Sequence, residues 1–154
     1  ISGIIDAVIC VDLPTDVVEE KRLKESLKKE NIVLIKLITP TTSEERMKEI
    51  AKDAEGFIYS VNVEGQTGVK SANIDKVNLQ IEKIKKYTNI PVVSGFGIKN
   101  EDDVKIFSKS KADGIVLGSA IINEIQKKSS KTMDKHIIAN FISNYCLKLI
   151  KKLD

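Results

Sequence analysis

A chain of 154 residues with 42% apolar content is long enough for one globular domain with a real core, read as a single domain over residues 1–154. Lys+Arg 25 against Asp+Glu 22 leaves a net charge of only +3, and aromatics are 5%, so the pattern lacks the basic, aromatic-lined stripe of a nucleic-acid surface. No apolar run approaches the roughly 18 residues of a membrane span and no signal peptide is visible, which predicts a soluble, cytoplasmic protein.

Apolar runs alternate with helical patterns from end to end. Ala7–Val11 reads as a short buried strand stopped at Asp12-Leu13-Pro14, and Asp16 with Glu19 predicts a capped helix start, with Leu23 and Leu27 on its apolar side. Ile32–Ile38 is the next strand, and Thr42 with Glu45 predicts the cap of a helix that turns Met47 and Ile50 inward. Phe57–Val61 is a third strand, followed by a long Gly-rich loop, Asn62–Ala72. Ile74, Val77, Ile81 and Ile84 then mark one helix face at the 3.6-residue period. Pro91–Ser94 is a fourth strand, Asn100 caps a helix carrying Val104 and Phe107, and Gly114–Leu117 is a fifth strand. The last helix carries a broad apolar stripe of Ile137, Ile138, Phe141, Ile142, Tyr145 and Leu149.

Strands apolar on both faces, alternating with helices, predict an α/β fold with a covered parallel sheet. Five strands suffice for a doubly wound sheet but not for a closed (β/α)8 barrel, so the choice rests on the motifs. Three glycine-bearing turns follow strands: Gly65–Gly68, Gly95–Gly97 and Gly118–Ser119. In Leu117-Gly118-Ser119-Ala120-Ile121 a strand ends, glycine lets the backbone approach an anion, and a helix opens with free N–H groups. A glycine after a strand is usually just a turn, but three at consecutive strand ends favour a phosphate site.

The motifs Val11-Asp12-Leu13-Pro14, Phe57-Ile58-Tyr59, Gly65-Gln66-Thr67-Gly68, Gly95-Phe96-Gly97-Ile98 and Ala112-Asp113-Gly114-Ile115-Val116-Leu117-Gly118-Ser119-Ala120 occur in an order that resembles the tryptophan synthase alpha chain family. The resemblance covers essentially the whole chain and aligns it from the family's fourth strand onward. It implies a (β/α)8 TIM barrel, of which about five βα units are present here as a partial barrel. The implied activity is that of a carbon–carbon lyase of tryptophan biosynthesis, cleaving indole-3-glycerol phosphate to indole and glyceraldehyde 3-phosphate. It further implies no cofactor on this chain, and a pyridoxal-phosphate-dependent beta chain as partner in an alpha2-beta2 assembly.

Carried over by position, Gly68, Gly97, Gly118 and Ser119 match the family's phosphate cradle. Tyr59 matches an active-site tyrosine, Thr67 the threonine of a closing loop, and Phe96 a residue of the indole pocket. Asp12 and Asp6 match acidic positions of the fourth strand. The resemblance places the family's catalytic glutamate and aspartate upstream of Ile1, so the chain alone is expected to be inactive. Glu64 and Gln66 depart from the small and aliphatic residues usual around the first glycine of the loop.

Plainer readings stand beside these. By composition alone Tyr59 reads as a rim aromatic, and only the resemblance reverses that; Asp12 is equally a turn residue, Thr67 is by default a turn residue, and Ser119 is an ordinary helix cap. His136 reads as a surface residue, and Glu101, Asp102 and Asp103 as first-turn acids favoured by the helix dipole. No metal-ligand spacing appears. Cys10 and Cys146 read as core fillers in a reducing compartment. Two alternatives remain: another phosphate-binding barrel enzyme, such as an epimerase or a prenylglyceryl-phosphate synthase, or a non-catalytic half-barrel binding module. An epimerase should carry metal-binding histidines at strand ends, and the single histidine is elsewhere.

Overall fold

The computed structural model describes residues 3–11, 13–14, 17–61, 71–95, 98, 100–128 and 134–153, with backbone alone at 71–73 and 128. Strand and helix alternate as β1 (Ala7–Ile9), α1 (Val18–Lys29), β2 (Val33–Ile38), α2 (Glu44–Asp53), β3 (Ile58–Ser60) and α3 (Ser71–Lys85). Then follow β4 (Val92–Ser94), α4 (Glu101–Phe107), β5 (Gly114–Ile115), α5 (Ser119–Lys128) and α6 (Lys135–Ile150). All five strands are parallel and lie in chain order, β1-β2-β3-β4-β5. A doubly wound sheet reverses its order at a switch point; uninterrupted order is that of a barrel wall. The fold is an α/β half-barrel.

Period-two alternation sorts the sheet into two faces. Ile38, Ser60 and Ser94 align in register on the helix-covered face, and all three are fully buried. Their neighbours Leu37, Tyr59 and Val93 align on the concave face and are only half-buried. The core lies between sheet and helices, where Ile58 and Val92 meet Val77, Ile81, Ile84 and Val104. Each such side chain contributes about 1.5–3 kcal/mol of burial. The predicted inward face of α3 is as expected: Ile74, Val77, Ile81 and Ile84 are all buried.

One helix end corrects an expectation. The cap of α2 is Ser43, whose hydroxyl accepts from the Arg46 N–H, rather than Thr42. The Thr42 hydroxyl instead accepts from the Thr39 N–H at 3.0 Å, closing the turn that leaves β2. At α1 the cap position is Val17, with no side-chain cap bond; Asp16, the expected start of the Asp16–Glu19 box, lies outside the described residues. Asn100 does cap α4, accepting from the Asp103 N–H at 2.9 Å. The exit of α1 is a Schellman closure: Ile32 N–H reaches Leu27 O, Asn31 N–H reaches Lys28 O, and Asn31 takes φ 58°.

Two further expectations change. Of the α6 stripe only Leu149 is buried, while Ile137 is 58% exposed, because among the described residues nothing packs over that side. Cys10 and Cys146 are free thiols that are half-buried, so neither fills the core.

Candidate functional site

The C-terminal ends of the strands gather on one rim, where a parallel sheet leaves its crevice. β3 projects Tyr59 onto the concave face, and its hydroxyl donates to the Gly95 carbonyl oxygen at the end of β4. Partial burial raises the Tyr59 phenol above its ordinary value near 10, so it stays a neutral donor at neutral pH.

Gly95 is a site of close approach. A Cβ there would lie 2.7 Å from the Val116 nitrogen and closer still to the Val116 carbonyl oxygen. The Val116 N–H donates to Ser94 O at 3.0 Å, carrying the β4–β5 pairing one residue past the end of β5. Lack of a side chain at Gly95 is what lets these two ends lie against each other. Sequence reasoning placed Gly95 in a turn; the signal it missed is that the strand–glycine pattern also marks a backbone contact.

Two residues on, the chain turns into α5. Gly118 O accepts from the N–H groups of Ile121 and Ile122 at 3.0 and 3.1 Å, so Gly118 holds the cap position and Ser119 the first helical one. This corrects the reading of Ser119 as the cap. A Cβ on Gly118 meets nothing among the described residues within 4 Å, and Gly118 and Ser119 are both exposed. The start of α5 is therefore an open helix N-terminus, suited to a dianion.

Among the other expected site residues, Asp12, Thr67, Gly68, Phe96 and Gly97, with Glu64 and Gln66, lie outside the described residues. Asp6 is exposed at the opposite, N-terminal end of β1, where its carbonyl accepts from the Val33 N–H. His136 is exposed in the first turn of α6. Among the described residues no group of three or more His, Cys, Asp or Glu is placed to hold a metal ion.

A cavity of about 430 Å³ opens where β1 ends and β2 continues, its wall including Val11, Leu13, Thr39 and Arg46. Val11 and Leu13 flank Asp12 in sequence. Lys36 and Glu20 also border it, and both are buried as an ion pair between β2 and α1. Lys36 additionally lies 3.2 Å from Asp53 at the end of α2. Sequence reasoning passed over this network, since Lys36 sits inside an otherwise apolar strand.

The family model of the tryptophan synthase alpha chain matches residues 2–148. The chain belongs to the tryptophan synthase alpha chain family. A tryptophan synthase alpha chain from Chlamydia felis is 40% identical over 127 residues, which are 81% of this chain and 49% of the relative. The alpha subunit from Campylobacter jejuni superposes with a TM-score of 0.74 at 34% identity, covering 91% of this chain and 53% of that one. A chain of the tryptophan synthase complex from Pyrococcus furiosus matches with a TM-score of 0.69 at 27% identity, covering 95% of this chain and 54% of that one. This chain thus spans about half the length of its alpha chain relatives. Among the described residues no helix is long and apolar enough to cross a membrane.

Proposed function

We propose that this chain supplies the phosphate-binding part of a lyase that cleaves indole-3-glycerol phosphate to indole and glyceraldehyde 3-phosphate. The observation that carries this reading is the open α5 N-terminus at Gly118, beside the Tyr59–Gly95–Val116 contact, in a chain of this family. The N–H groups at Ser119 and Ala120 hold the phosphate, each such bond to a charged group contributing about 1.5–3 kcal/mol. Gly68 and Gly97 complete the cradle, Tyr59 and Phe96 border the indole and glycerol parts, and Thr67 closes the loop. Asp12 completes the set of residues that meet the substrate.

Cleavage breaks the bond between indole C3 and the glycerol carbon. Its electron pair stays on C3, which takes a proton, while the adjacent glycerol hydroxyl loses one to become the aldehyde. Positioned acid–base groups contribute roughly 10²–10⁴-fold each to such a step. In this reading the two carboxylates come from the part of the barrel that this chain does not span. This chain needs no cofactor; the pyridoxal phosphate belongs to a beta chain that receives the indole in a cytoplasmic alpha2-beta2 assembly. The complex that includes the Pyrococcus furiosus relative supports such a partner.

Calorimetric titration with glyceraldehyde 3-phosphate tests the reading. Binding by the chain, lost in Gly118→Asp, is the expected result. Equal heats from both proteins would remove Gly118 from the cradle. Absence of indole release after the missing barrel part and beta chain are supplied would leave only a phosphate-binding module.

A further inference from the structure

The helix α1 docks on the sheet by different means from its neighbours. α2 buries Met47, Ile50 and Ala51, α3 buries Ile74, Val77, Ile81 and Ile84, and α4 buries Val104 and Phe107. On α1 Glu20 alone is buried among the described residues, and Leu23 and Leu27 on its apolar side are only half-buried. Charge takes the place of apolar contact. The Glu20 carboxylate pairs with the Lys36 ammonium of β2, the two side chains being 6% and 5% exposed. Asp53, the last residue of α2, lies 3.2 Å from Lys36 and 2.6 Å from Lys24 of α1, and Lys24 also reaches Glu55 at 3.7 Å.

A buried ion pair returns little net stability, because desolvating the two charges offsets most of their attraction, yet leaving one of them alone is costly. Several buried apolar side chains therefore anchor a helix more firmly than this network anchors α1. The two ends of α1 also differ. Its first turn has no side-chain cap, whereas Asn31 at φ 58° and the bonds from Ile32 and Asn31 to Leu27 and Lys28 close its last. From this arrangement we infer that α1 is a latched flap, swinging from the sheet about its C-terminal end while α2 and α3 stay docked, with the Lys36 network as the latch. Glu20 and Lys36 both border the cavity of about 430 Å³, with Leu34, Arg46 and Ile50 among its other walls, so the swing opens that cavity further to solvent. Lids and other moving elements are drawn from such weakly anchored parts of a fold. The movement is independent of the proposed lyase chemistry.

Native-state amide exchange of this chain in low denaturant tests the latch. The Leu23 and Leu27 amides should exchange together, with protection about tenfold or more below that of Val77 and Ile81 in α3 and a weaker dependence on denaturant. Lys36→Met leaves the Glu20 carboxylate without its cation and should lower protection across α1 about a hundredfold or more, while α3 stays protected. Glu25→Gln, on the exposed side of α1, should change neither helix. Equal protection of α1 and α3 in the parent overturns the inference, because the two would then open only as one unit; this reading needs no variant. So does a Lys36→Met chain whose α1 amides are as protected as the parent's, or one that loses α3 together with α1. Glu25→Gln opening α1 as far as Lys36→Met does would overturn it as well, by removing the network as the latch.

Discussion

The Tyr59 hydroxyl donates to the Gly95 carbonyl oxygen, tying a concave-face side chain of β3 to the backbone where β4 ends. The same glycine meets the Val116 backbone. One residue of β3 thus holds the rim segment against which the approach to α5 rests. Tyr59→Phe keeps the ring and removes the bond, so it should cost about 0.5–1.5 kcal/mol of stability. Urea denaturation reads that loss. Titration with glyceraldehyde 3-phosphate should show weaker binding, and unchanged affinity would mean that the bond serves the fold alone.

Gly95 and Gly118 should respond in opposite ways to alanine. At Gly95 the new methyl group runs into the Val116 backbone, which cannot rotate away, so β4 and β5 must separate. A loss of about 1–3 kcal/mol is expected from such overpacking. At Gly118 the methyl group enters open space, and thermal stability should stay within about 0.5 kcal/mol of the parent. A melting comparison of the two variants decides this.

Lys36→Met removes the ammonium buried against Glu20 and should destabilise by about 3–5 kcal/mol. Lys36→Met/Glu20→Met, which withdraws both charges together, should recover most of that. Denaturant midpoints give the answer: a double variant no better than the single one would show that the pair itself holds α1 on β2.

Acid should weaken the sheet at the N-terminal ends of β4 and β5 through Asp113. Partial burial opposes ionisation there, but Lys85 and the Val92 N–H outweigh it and hold the carboxyl below its ordinary value near 3.8. The depressed value means that the stabilisation is present above pH of about 4 and is lost as pH falls through the folded-state pKa. Lys85 and Asp113 are well exposed, so solvent screens the pair and its worth is below about 1 kcal/mol. Asp113→Asn should therefore lie slightly below the parent at neutral pH and converge with it in acid or in high salt. Melting curves across pH check the convergence.

The alternation of apolar runs and helical periods, with the Gly118-Ser119 turn marking α5, was enough to place the described strands and helices in order, because a covered parallel sheet demands strands apolar on both faces. Family membership was legible too, in motifs as local as Gly118-Ser119. Caps were legible only where one candidate stood alone: Asn100 had no rival, whereas Thr42 and Ser43 are adjacent, and the turn out of β2 took Thr42.

Tertiary structure alone decided what depends on which strands touch. Chain-order pairing, which makes the sheet a barrel wall, is set by packing between segments and leaves no mark on local periodicity. The Tyr59–Gly95 bond spans 36 residues, and the Lys36 network joins β2 to helices on either side. The stripe on α6 shows the same limit from the other side. Apolar spacing determines which residues seek cover, while burial requires a partner surface, and Ile137 stays exposed because none lies over it among the described residues.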